Sequence, residues 1–427
     1  MIRRLPLRSL LGLLVGLVLS AQGPSLIRAG HLLDARTGQV RSDQGLLVKE
    51  GRIAASGPWA QVSAAAPKDA AILDLSGQWV LPGLIEAHTH VLLQGNRFSQ
   101  DYADQILKES VSYRTLRAAA SAKAALRWGF TTLRDLGSEG AGYADVDLKK
   151  AVEAGVVPGP RLFVAGRAFS ATGTYPLQNY AWELDLPSGV RVVDGVEAIR
   201  VAVRDEVRRG VDWVKVYVDR AITLGPDGRL RSLTNYRPEE LRAFVEEAHR
   251  LGRRTSAHAK GWDGIDAALT AGFDTVEHAD GFTDDLLDRA VRQGTFWCPT
   301  IYAGIWVADG RGPLGKKYPE ILAAAFRRGL AKGVKIALGS DIGAFPWTEN
   351  PAKELALMVA RGMTPLQALQ SATVVAADLL GAKDLGTLEP GAHADLVALS
   401  EDPLKDITAL QRLKIVVKGG EVVRRDP

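Results

Sequence analysis

Only one cysteine, Cys298, occurs among 427 residues, which excludes an internal disulfide framework. Phe296 and Trp297 precede it directly, the setting of a buried, inert thiol and not of a nucleophile. An excess of one charge is missing too. Lys and Arg number 53 against 49 Asp and Glu, and they are scattered through helix-like segments, so no basic stripe for nucleic acid exists. Long hydrophobic runs are absent as well: the apolar run Leu10–Leu19 is too short to span a bilayer comfortably. What the chain does have is 46% hydrophobic content over a length that can bury a large core.

That short run has the context of a leader. Arg3, Arg4 and Arg8 precede it, and Ala21 and Gly23 supply the small residues a signal peptidase requires. Residues 1–23 are therefore expected to be a cleaved signal peptide, giving a periplasmic or secreted protein without stable membrane insertion.

From Ser25 to about Leu75 short apolar strands alternate with turns, as in Gly45-Leu46-Leu47-Val48 and Ala71-Ile72-Leu73-Asp74-Leu75. Ala394–Leu399 and Ile415–Val423 have the same character. Neither set makes a stable sheet alone, so residues 24–79 and 382–427 are expected to combine as one small β-sandwich. Between them, over 80–381, strands alternate with amphipathic helices. The strands are predicted at Val80–Ile85, Phe130–Leu136, Arg161–Gly166, Trp213–Val218, Arg254–Ala257, Thr275–Glu277, Thr295–Cys298 and Lys335–Leu338. Eight such units point to a (β/α)8 TIM barrel, whose functional groups lie at the C-terminal strand ends. An open doubly wound sheet is disfavoured because the first strand is not followed by Gly-x-Gly-x-x-Gly.

Several metal-ligand residue types stand at those ends. His88 and His90, one residue apart, leave an extended strand on the same face. Such a pair alone also suits a hydrogen-bonded core. However, Lys215 lies on the fourth strand, His258 and His278 end the fifth and sixth, and Asp341 follows the eighth. Four of the seven histidines thus share one rim, whereas His31, His249 and His393 fall elsewhere and read as structural or solvated.

Leu81-Pro82-Gly83-Leu84-Ile85 before His88-Thr89-His90, Val214-Lys215-Val216, Ala257-His258-Ala259, Glu277-His278-Ala279, Gly339-Ser340-Asp341 and the closing Leu388-Glu389-Pro390-Gly391 together resemble the amidohydrolase superfamily. The resemblance covers nearly the whole chain after the leader. It is strongest to the imidazolonepropionase-related branch with Xaa-Pro and Xaa-Arg/Lys dipeptidases and ochratoxin-hydrolysing enzymes. It implies two divalent metal ions and a carboxylated lysine: His88, His90 and Asp341 on one metal, His258 and His278 on the other, and a CO2-derived carbamate on Lys215 bridging them. Zinc suits these donors, although manganese and cobalt also fit. A bare ammonium on the apolar strand Trp213–Val218 would be disfavoured beside two cations, while a snorkelling or ion-paired lysine is the plainer reading. On the metal reading, hydroxide bridging the cations attacks an amide carbonyl, with Asp341 as proton acceptor and donor.

Tyr217 shares the inward face of Lys215 and is either a hydrogen-bond donor to substrate or a packing residue. Arg167, Arg220 and Lys260 follow strands closely enough to meet a substrate carboxylate, and Tyr175 and Tyr302 are candidates for the pocket wall. The expected activity is hydrolysis of dipeptides or N-acyl amino acids, including ochratoxin-like amides, by a homo-oligomer. The alternative is a mononuclear cyclic-amide hydrolase or deaminase, which would not need Lys215. With all six ligand positions filled, a non-catalytic scaffold is disfavoured.

Overall fold

The computed structural model describes residues 25–95, 99–308 and 312–426, so the predicted leader lies outside the described residues. Among these, no helix is long and apolar enough to cross a membrane.

Eight parallel strands form the centre: Leu84–Thr89, Phe130–Asp135, Arg161–Val164, Trp213–Tyr217, Arg254–Ala259, Thr275–His278, Phe296–Cys298 and Lys335–Ile336. The first three pair in sequence, as do the last five. Between the third and fourth, the Asp212 amide donates to Val164 O at 2.8 Å. From first to eighth, Ala87 N donates to Leu338 O at 2.9 Å, and Thr89 bridges Ile342 in parallel. These links join both ends of the series, and the chain forms an α/β barrel of the TIM type.

The connecting helices bury one face each. In Pro238–Arg250, Leu241, Phe244, Val245 and Ala248 are buried, the spacing of one helical stripe. Pro238 starts that helix, and the Glu240 carboxylate accepts from Arg237 N at 2.8 Å, fixing the first turn. Such stripes join the outward-facing strand residues in the largest apolar core.

The predicted first strand, Val80–Ile85, is divided between two sheets. Ala71–Pro82 runs in a seven-stranded sheet with Ser25–Leu33 and Leu396–Leu399, and the barrel strand begins only at Leu84. The handover is at Gly83, whose amide donates to Asp395 O at 2.9 Å while Leu84 N donates to Gly129 O. Because the chain stays apolar through both halves, hydropathy has no break to mark the change. The seven strands share one continuous hydrogen-bonded order, with strands 396–425 on one side and residues 25–58 on the other. A separate apolar cluster including Ile27, Leu46, Leu75, Leu396 and Val417 fills this region.

Candidate metal centre and substrate cavity

The strand ends surround a cavity of about 500 Å³ lined by His88, His90, Lys215, His258, His278 and Asp341, among others. Nitrogen or oxygen atoms of His88, His90 and Asp341 all lie within 4.8 Å of one another. Asp341 Oδ1 is 3.6 Å from His88 Nε2 and 3.4 Å from His90 Nε2. On the other side, His278 Nε2 and His258 Nδ1 converge to 2.9 Å. The ring centroids of His88 and His278 are 5.2 Å apart, so the two groups are continuous.

The second ring nitrogen orients three of the imidazoles. His88 Nδ1 donates to Glu277 Oε2 at 2.8 Å, and His90 Nδ1 donates to Gly137 O at 3.1 Å, which turns both Nε2 atoms toward the cavity. His278 Nδ1 is 2.7 Å from Thr300 Oγ1. Burial, reinforced by Lys215, lowers His88 to about 4, so its contact with Glu277 is a hydrogen bond from a neutral ring. Burial also pushes His278 well down, with Lys260 and His258 acting in the same direction. Neutral imidazoles are the form that ligates a metal.

Glu277 is buried, which alone would raise its carboxyl, but Arg134 and His88 hold it well below the usual range. Arg134 is itself fully buried, 2.9 Å from Glu277 Oε1 and stacked 4.5 Å from the Trp213 ring. This pair lies beneath His88 and fixes its tautomer. Glu86 acts differently: its Oε1 accepts from the amides of His88 at 3.0 Å and Ser340 at 2.9 Å, tying the ends of the first and eighth strands together.

Backbone strain gathers at the same rim. Glu139, His278, Ala279, Thr300 and Asp341 all have φ between 48° and 68°, a region non-glycine residues seldom occupy. Glycine makes the approach of the Asp341 loop possible: a Cβ on Gly339 would come within 2.8 Å of His88 Cβ, and one on Gly343 within 2.5 Å of His90 O.

Lys215 is 1% exposed, and among the described residues its Nζ has no hydrogen-bond partner. Burial lowers it to about 8. An unpaired buried ammonium costs several kcal/mol, which favours the neutral amine. An orphaned amine between two sets of converging donors fits a lysine that becomes a ligand after modification.

Of the other candidates, Tyr217, Tyr175, Arg220 and Lys260 line the cavity. Arg220 Nη1 donates to Asn235 Oδ1 at 2.8 Å, and Lys260 Nζ is 4.0 Å from Asp280. Arg167 does not line it. Its guanidinium is 3.0 Å from buried Glu206 and donates to Tyr143 Oη at 2.7 Å, because the helix Val196–Arg208 presents Glu206 to it. Tyr302 also lies away, donating to Glu349 at 3.2 Å and packing on Phe345. Accordingly, Arg167→Ala is expected to leave kcat/KM within about threefold while lowering stability by about 1–2 kcal/mol, read by steady-state kinetics and denaturant unfolding.

Glu277, Arg134 and Glu139 were missed as site residues by the sequence reading. Arg134 and Glu277 do carry a signal, a charge within a predicted barrel strand, although Thr131, Thr132 and Thr275 make those strands less apolar than the one that holds Lys215. Glu139 has none, since it sits in the glycine-rich loop Gly137-Ser138-Glu139-Gly140.

Comparison with known proteins agrees with this geometry. Residues 79–423 match the amidohydrolase family. Ochratoxinase of Aspergillus niger is 31% identical over 374 residues, covering 81% of this chain and 75% of that protein. A Xaa-Pro dipeptidase structure with bound methionine superposes with TM-score 0.84 at 30% identity, covering 94% of this chain and 99% of the other. A prolidase complexed with N-methylphosphonate-L-proline gives TM-score 0.81 at 28% identity, covering 95% and 100%.

Proposed function

Because the chain belongs to the amidohydrolase family and is a hydrolase of amide C–N bonds, we propose that it cleaves dipeptides and N-acyl amino acids with two divalent metal ions. His88, His90 and Asp341 would hold one ion and His258 and His278 the other, with carboxylated Lys215 shared between them. Bound cations would polarise the carbonyl and acidify water, and zinc is the ion this donor set suits best. The observation that carries the proposal is the buried, unpartnered Lys215 Nζ within a ring of four histidines and one aspartate.

The chain's own groups supply the remaining steps. Asp341 takes a proton from the water that attacks the carbonyl and delivers it to the leaving nitrogen as the C–N bond breaks, so one carboxylate serves both halves of the reaction. Tyr217 Oη, 2.9 Å from Glu139 Oε1, lies on the cavity wall beside His258 and orients the scissile amide. Arg220 and Lys260 offer the cavity its cationic side for a substrate carboxylate. The likeness to ochratoxinase and to the dipeptidase supports an amide with a carboxylate on its leaving group.

The test is a panel of dipeptides and N-acyl amino acids, incubated with zinc- or manganese-loaded protein and read for liberated amine. Turnover of at least one member is expected. Turnover confined to cyclic amides or amino-heterocycles would replace this reading with the mononuclear one.

A further inference from the structure

We propose that Glu139 binds the free α-ammonium of the substrate's amino-terminal residue, making this chain selective for unblocked dipeptides over N-acyl amino acids. The inference deepens the proposed amide hydrolysis and rests on it.

Glu139 follows the second barrel strand, is 2% exposed, and lines the cavity. Its partners are three phenols from three different segments. Tyr102 donates to Oε2 at 2.7 Å, Tyr175 to the same oxygen at 3.3 Å, and Tyr217 to Oε1 at 2.9 Å. A carboxylate has roughly four acceptor positions, so these donors leave one. Oε1 carries a single phenol and lies 3.6 Å from His90 Nδ1, which identifies it as the oxygen with capacity left. Among the described residues no lysine or arginine side chain forms an ion pair with this buried carboxylate. The Arg114 guanidinium donates to Glu139's own backbone carbonyl at 2.8 Å, and it and Lys215 attract the Glu139 charge without an ion pair to the carboxylate. The carboxylate oxygens themselves are met by neutral phenols, which stabilise a buried anion less well than a cation in direct contact does.

Position specifies the ligand. His90 separates the two carboxylates: Nδ1 faces Glu139, and Nε2 lies 3.4 Å from Asp341 Oδ1. An amide carbonyl attacked beside Asp341 therefore lies one imidazole ring away from Glu139. In an amino-terminal residue the nitrogen is two bonds from the carbonyl carbon, about 2.5 Å, within the reach required. An ammonium beside two divalent cations is otherwise repelled, and a buried carboxylate at that position offsets the repulsion. Arg220 and Lys260 follow the fourth and fifth strands and Glu139 follows the second, so the cavity takes its anionic and cationic groups from different strands, one for each end of a dipeptide zwitterion. An N-acyl group replaces the ammonium with a neutral group and leaves the free position on Glu139 Oε1 without a contacting cation.

Leucyl-phenylalanine and 4-methylpentanoyl-phenylalanine differ only by the ammonium. With metal-loaded full-length protein, liberated phenylalanine should give a kcat/KM ratio of at least about tenfold in favour of the dipeptide. Glu139→Gln, which keeps an oxygen for the phenols, should bring the ratio within about threefold. Calorimetry in the Asp341→Asn background, with and without Glu139→Gln, reads the same ratio as affinity without depending on turnover. A wild-type ratio near one, or a Glu139→Gln loss equal for both compounds, would overturn the proposal. If neither compound is hydrolysed but the affinity ratio responds to Glu139→Gln, the ammonium site stands and the hydrolysis reading fails instead.

Discussion

Lys215→Ala is expected to lower kcat/KM by at least about 10³-fold and to reduce the bound metal from close to two equivalents per chain to one or fewer. The magnitude follows from what the side chain is proposed to supply. About 4 kcal/mol of transition-state stabilisation corresponds to a thousandfold, and losing a shared anionic ligand disturbs both ions at once. A purely structural lysine would have a different signature. Its Nζ is buried with no hydrogen-bond partner, so truncation would remove an unfavourable polar group and should be neutral or stabilising for the fold. Full metal content, undiminished turnover and raised stability in Lys215→Ala would therefore sink the binuclear reading.

On the proposed reading, carbon dioxide is the reactant that turns the same residue into a ligand. An amine lowered to about 8 is neutral in roughly a tenth of molecules near pH 7, whereas an ordinary lysine is almost wholly protonated. Only the neutral form attacks carbon dioxide. Metal-stripped protein should thus reload more slowly in bicarbonate-free buffer, and short carboxylic acids should partly restore Lys215→Ala by placing an oxygen ligand in the vacated volume.

Much of the site is visible in sequence for one physical reason: the barrel strands are short and carry few ionisable groups, so a histidine, lysine or carboxylate within or just beyond one stands out. His88, His90, Lys215, His258, His278 and Asp341 all have that signature, and the folded chain gathers all six around a single cavity. Arg134 and Glu277 have it equally, but they point to each other beneath His88, a pairing between strands 143 residues apart that spacing cannot reveal. Arg167 shows the converse error. Nearness to a strand end says nothing about direction, and Glu206 on the following helix captures its guanidinium. Tyr302 fails in the same way, drawn to Glu349 beyond the eighth strand. The division of Val80–Ile85 at Gly83 was illegible because both sheets require the same apolar residues there. Glu139 lies in a loop without periodicity, and only the three tyrosines folded onto it give it meaning.

Asp341→Asn should separate holding the metal from moving the proton. The substituted amide keeps an oxygen where Oδ1 faces His88 and His90, and those two rings are held from behind by Glu277 and Gly137 independently of Asp341. Metal content is therefore expected to stay above one equivalent. Hydrolysis should nevertheless fall by about 10³-fold or more, because an amide cannot take a proton from water and return it to the leaving nitrogen. The backbone sharpens the contrast: Asp341 has φ of 62°, a conformation that asparagine tolerates about as well as aspartate, so the substitution adds little strain. Substrates with better leaving groups, such as anilides, should recover part of the loss, since they demand less proton delivery to nitrogen. If Asp341→Asn turns over dipeptides at the wild-type rate with metal retained, another group must carry the proton. Loss of both metals together with activity would instead mark Asp341 as a ligand first, and the anilide series would then show no recovery.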